Sequence, residues 1–158
     1  MGTWLLKVGR GSPSPPMLAI KVVKGGRRES NTLGRQLLME YLLIALTLIV
    51  SLGILNVWVL RRDQQTAYRG QAAQTLREEF AVYGLPAWVF PVIGVTKVLL
   101  ATALLASLQF SFLGKPAAMA LALVMLVAFA MHLKVKDTAL KSAPSLAVLA
   151  MCVGIILL

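Results

Sequence analysis

PAWVFPVIGVTKVLLATALLASL, residues 86–108, is almost unbroken apolar sequence, and its one charge, Lys97, falls near the middle. A helix rises about 1.5 Å per residue and the hydrocarbon core of a bilayer is about 30 Å thick, so roughly 20 apolar residues cross it. This stretch meets that length. Working outward, residues 40–60 do so as well, 116–133 lie near the lower limit, and 139–158 reach it only by including 139–143. Each stretch is continuously apolar and does not alternate over about 10 residues, which points to helices and away from a barrel. The expectation is an all-α polytopic membrane protein, four transmembrane helices in one bundle.

Composition agrees. Of the 158 residues 58% are hydrophobic and only 14% charged, where a soluble domain has about a quarter charged. The net charge of +10 does not mark a nucleic-acid binder. Seven of the 16 basic residues lie before Glu40 and most of the remainder flank the spans, where they set orientation and meet anionic headgroups, and no aromatic residues interleave with them as a stacking surface needs. The expected partner is therefore the lipid bilayer, joined by a protein partner or a second copy of the chain, with no nucleic acid. Cys152 stands alone inside the fourth span, so an intramolecular disulfide and a CxxC redox pair are both excluded.

Residues 1–38 differ from the rest. Gly, Pro, Ser and basic residues dominate, and 12–16 read as extended or irregular. A flexible tail, an Arg-rich targeting segment and a non-native extension upstream of a start at Met39 all remain open, and the segment is expected to be a disordered or non-native leader ahead of a domain at 39–158. Counted from Met39, one basic residue (Lys115) lies on the side of the termini. Seven lie on the other: Arg61, Arg62, Arg69, Arg77, Lys134, Lys136 and Lys141. The positive-inside rule then puts both longer connectors in the cytoplasm and both termini opposite. With the leader included the count is eight against seven, and orientation is undecided.

Arg61 and Arg62 end the first span at headgroup level, with Trp58 expected at the interface. In the connector that follows, Tyr68, Ala72, Leu76, Phe80 and Tyr83 recur every three or four residues, and Gly84 and Pro86 close the pattern. An amphipathic helix over 71–83, lying on the membrane or capping the bundle, is expected.

Lys97 sits about 16 Å into the second span by helical rise. An ammonium at that depth costs about 2.5–3.5 kcal/mol, so it faces the bundle interior or a wet cavity. Side chains lean toward their helix N-terminus, here the face of the long connectors. His132 closes the third span on that face, Asn56 approaches it from the first, and Ser51 lies at the depth of Lys97. Lys97, His132, Asn56 and Ser51 thus form a candidate polar pocket, with Glu78, Glu79 and Asp137 as counter-charges; a snorkelling lysine beside an interfacial histidine is the plainer alternative. One histidine without buried carboxylates or thiols makes neither a metal centre nor paired haem ligands. No nucleophile–base arrangement, phosphate loop or carboxylate pair is present, so no catalytic residue is assigned.

The segment TLREEFAVYGLPAWVFPVIGVTKVLLATALL at 75–105, with AMHLKVKD at 130–137, resembles the DoxX-like family of small four-helix membrane proteins. There an F-x-x-x-G-L-P segment leads into the second helix and a His-bearing segment closes the third. Phe80, Gly84, Pro86, Lys97 and His132 carry the match, which covers 39–158. The resemblance implies a bacterial-type cytoplasmic membrane, an organellar membrane being the alternative, and a link to a quinone-dependent oxidoreductase. It brings no established catalytic residue with it. The expected role is a non-catalytic membrane subunit or accessory protein, with no cofactor of its own. A quinone-binding oxidoreductase subunit using Lys97 and His132 is the alternative, and a small oligomeric transporter broken at Pro91 stands third.

Overall fold

A computed structural model describes residues 17–158, with side chains from residue 30 onward. By internal contacts the chain divides into Met1–Leu38 and Met39–Leu158. The expected disorder of the leader falls partly on residues 1–16, outside the described residues. For 17–38 the backbone is helical, the opening part of α1, Met17–Leu55. No proline occurs between Pro16 and Pro86, so nothing there forbids a continuous helix.

After α1 the order is a π-helical turn at Asn56–Leu60, α2 at Leu76–Val82, α3 at Val89–Ala106, a 3₁₀ turn at Ser111–Leu113, α4 at Gly114–Lys134 and α5 at Ala139–Leu157. Four segments are long and apolar enough to cross a membrane: Ser30–Leu60, Val89–Ala106, Ser111–Lys134 and Ala139–Leu157. The protein is all-α and polytopic. Pro91 and Pro116 both occupy the third position of their helices, where the missing N–H would have had no intrahelical acceptor, so neither breaks a span. Pro144 lies inside α5 and deprives the Leu140 carbonyl of its amide.

The core of Met39–Leu158 runs between the spans. Val50 and Ile54 from α1 meet Ala101 and Leu104 of α3, Ala118 and Leu121 of α4, and Cys152 and Ile155 of α5. Alanines at 117 and 118 let α4 approach its neighbours closely, the usual means of helix association in lipid. The outer faces carry exposed Leu99, Leu123, Val127 and Leu157, which in a bilayer meet acyl chains at no cost.

One expectation is corrected here. The connector helix begins at Leu76, not 71. Thr75 is its N-cap, accepting from the Glu78 amide at 3.2 Å, while the Glu78 carboxylate accepts from the Gln74 amide at 2.8 Å. That reciprocal arrangement fixes the helix start. Upstream, Gln71 adopts a positive φ of 48°, which ends any helical run. Tyr68 and Ala72 are exposed, and the apolar stripe survives only from Leu76 to Tyr83. Trp58, in the last turn of the first span, is 8% exposed and packs inward against Phe80 and Phe90, with ring centroids 6.0 and 5.7 Å away.

Candidate functional site

Residues 61–75 do not form a free loop. Arg69, buried, donates to the carbonyls of Arg61 at 3.0 Å and Gln64 at 3.2 Å, so it satisfies backbone left over where the first span ends. Its guanidinium also lies 3.5 Å from the Glu79 carboxylate, both side chains being more than nine-tenths buried. Glu79 in turn accepts from the Gly70 amide at 2.8 Å and from the Tyr83 hydroxyl at 2.9 Å.

Tyr83 carries the network across to α4. Its hydroxyl lies 3.1 and 3.2 Å from the two ring nitrogens of His132. His132 Nδ1 donates to Asp137 at 2.8 Å, and the other Asp137 oxygen accepts from the Gln71 amide at 2.9 Å. The Gln71 side chain reaches the Val135 carbonyl at 2.7 Å, and Lys141 donates to the Gln71 carbonyl. A chain of hydrogen bonds, buried from Glu79 to His132 and exposed around Gln71, thus straps the connector to the ends of α4 and α5. Within it the phenol of Tyr83 is pushed well above the ordinary tyrosine value. Burial is the main cause; the adjoining Glu79 carboxylate adds charge repulsion and a hydrogen bond to the neutral form, and Arg69 opposes. Gly70 is required by this packing, since a Cβ there would lie 3.0 Å from both Asp137 Oδ2 and the Tyr83 hydroxyl.

Beneath the strap lies a cavity of about 620 Å³, within the range of small-molecule sites. Its polar end is formed by Lys97, His132, Glu79, Tyr83 and Arg69, and most of the remaining wall is aliphatic or aromatic. Lys97 is 8% exposed, and its Nζ lies 5.0 Å from the centroid of the Trp58 ring. Among the described residues no carboxylate comes within ion-pair distance of it, although the Glu79 charge attracts it at longer range. Gly53 and Val57 on one side and Leu123 and Val127 on the other, all exposed, also line the cavity. Each pair is spaced i, i+4, so two helix faces frame a lateral slit.

Of the residues singled out by sequence, Lys97 and His132 share this cavity with Glu79. Asn56 does not: it is exposed, turned away on the π-helical turn. Ser51 is fully buried, but its hydroxyl has no partner and lies off the cavity wall. None of the three named carboxylates pairs with Lys97. Glu79 is taken by Arg69, Asp137 by His132 and Gln71, and Glu78 is an exposed cap. Sequence reasoning missed Arg69, Tyr83 as a polar partner, and Trp58. For Trp58 a signal existed, because Thr47, Ser51, Ile54 and Trp58 follow the 4-3-4 spacing of a buried stripe. For α2 the T-x-x-E run at 75–78 marked the helix start.

Among the described residues, no three His, Cys, Asp or Glu side chains cluster to hold a metal. The arrangement offers hydrogen bonds and positive charge at one end of an apolar chamber, suited to orienting an oxygen-bearing head on a lipophilic body. A family model, the DoxX-like family, matches residues 65–155, which takes in most of the strap, the cavity walls outside the first span and the second, third and nearly all of the fourth span. No curated protein and no solved structure matches the chain.

Proposed function

The chain belongs to the DoxX-like family, and from that premise we propose that it is a non-catalytic integral membrane subunit. In this reading it holds a lipophilic molecule of quinone type for a partner protein in an oxidoreductase assembly. The supporting observation is the cavity itself, apolar over most of its wall and open between spans, with Lys97 and His132 at its polar end. A quinone has that same division between a hydrocarbon body and a carbonyl-bearing head. The reading includes a bacterial-type cytoplasmic membrane and long connectors on the cytoplasmic side, which reporter fusions after Leu158 test.

Purification in mild detergent, followed by native mass spectrometry, tests the main claim. A co-purifying protein and saturable binding of a decyl benzoquinone are expected. A lone monomer that binds no quinone overturns it.

The second reading makes the chain itself the quinone-reacting subunit, with Lys97 and His132 holding or protonating a quinone oxygen. It is favoured by the placement of both residues on one cavity. Lys97→Met would then abolish quinone-dependent turnover with protein level unchanged, and undiminished turnover would end it.

A further inference from the structure

Four cations line the cavity, Arg61, Arg69, Lys97 and Lys141, against one acid, Glu79. Arg69 and Glu79 face each other at 3.5 Å, and Glu79 also attracts Lys97 at longer range, so one acid is shared and positive charge remains in excess. The other two long-connector charges meet only neutral acceptors: Arg61 donates to the Gln64 side-chain amide at 3.0 Å, and Lys141 to the Gln71 carbonyl. Lys97, 8% exposed, makes no hydrogen bond among the described residues and rests on the face of Trp58. A ring face attracts an ammonium but fills none of its three N–H donors. An enclosed ammonium without an acceptor is costly, and the missing component is an oxygen carrying negative charge. The Asp137 carboxylate does not supply it, because both its oxygens are engaged by His132 and Gln71.

We infer that the cavity selects an anionic amphiphile, a single hydrocarbon tail ending in a negatively charged oxygen head such as a carboxylate, with the head seated on Lys97. This rests on the reading that the cavity takes a lipophilic ligand, and it puts a charged head in place of the neutral quinone head. The tail lies along the aliphatic wall and leaves through the slit between Gly53 and Val57 on one side and Leu123 and Val127 on the other. A neutral quinone would satisfy the N–H donors of Lys97 only as a carbonyl and would leave the excess of positive charge in place.

The test uses the full chain in nanodiscs of phosphatidylcholine, with binding followed by native mass spectrometry. Hexadecanoate, hexadecanol, a decyl benzoquinone and phosphatidylglycerol are compared. A hydrogen bond to a charged group contributes about 1.5–3 kcal/mol, so hexadecanoate should bind roughly ten- to a hundredfold tighter than hexadecanol. The difference should collapse in Lys97→Met. The comparison of head groups on the unsubstituted chain needs no variant and stands if Lys97→Met fails to fold. Equal binding of acid and alcohol, or tighter binding of the quinone, overturns the anionic head while leaving a lipophile cavity in place. Failure of every probe overturns the cavity reading beneath it. Displacement of hexadecanoate by phosphatidylglycerol at equal mole fraction overturns the single tail and assigns the site to a bilayer lipid.

Discussion

Gly94 on α3 lies against the indole of Trp58 so closely that a Cβ at residue 94 would be 2.9 Å from Cζ3 and 3.0 Å from Cε3. The ring cannot easily withdraw. Phe90 stacks on it, Phe80 meets it edge-on, and the ammonium of Lys97 sits over its face. A glycine thus sets the position of the aromatic floor beneath Lys97, which among the described residues has no ion-pair partner.

Gly94→Ala should therefore act on both stability and site. Overpacking a filled core costs about 1–3 kcal/mol, and a comparable loss is expected in the thermal unfolding of the purified protein in detergent. A shifted Trp58 emission should accompany it. An alanine variant with unaltered stability and emission would show that the indole is not confined as described.

Asp137 joins two parts of the chain far apart in sequence, through His132 and Gln71. In Asp137→Ala the Gln71 amide loses a charged acceptor. Hydrogen exchange over 66–75 should rise roughly ten- to a hundredfold, matching about 1.5–3 kcal/mol, while exchange in α4 and α5 stays slow. Uniform acceleration across the spans would instead mean global loosening.

Glu79→Ala should be more damaging than any surface change. It leaves the buried guanidinium of Arg69 without its carboxylate and also removes the acceptor of Gly70 and Tyr83. Breaking one side of a buried pair costs about 3–5 kcal/mol. Glu78→Ala, at an exposed cap, should cost about 1 kcal/mol. Unfolding of both variants side by side measures the difference, and equal losses would contradict the buried pair.

The raised phenol of Tyr83 predicts a pH dependence of defined sign. The folded protein holds the proton more tightly than the unfolded chain, whose tyrosine ionises near about 10. The contribution is complete below that value and is lost as pH rises above it, by up to about 1.4 kcal/mol per pH unit. Between about pH 10 and 11.5 the unsubstituted protein should lose stability more steeply than Tyr83→Phe. Parallel curves would place the phenol in water.

Much of the architecture was legible because lipid imposes a simple rule: a helix must be apolar over its length, and segments such as 86–108 obey it. Lys97 and His132 were legible as polar exceptions within that rule. Their surroundings were not. Glu79 is one turn from Tyr83 on α2, but whether it faces Lys97 or Arg69 depends on how residues 61–75 fold back, and no periodicity encodes that. Asn56 was misplaced because depth was judged without helical phase, and depth alone does not say which way a side chain turns. Ser51 belongs to the 4-3-4 stripe whose Ile54 and Trp58 reach the cavity, but it sits a turn deeper in the core, off the cavity wall, where its hydroxyl finds no partner.

The slit between the first and third spans opens sideways, between surfaces that face hydrocarbon. If the cavity takes a lipophile as proposed, a guest entering there would move in two dimensions without dissolving in water. Its loading would then follow mole fraction in the leaflet, so that diluting a vesicle suspension with buffer would leave it unchanged, whereas adding empty vesicles would drain it.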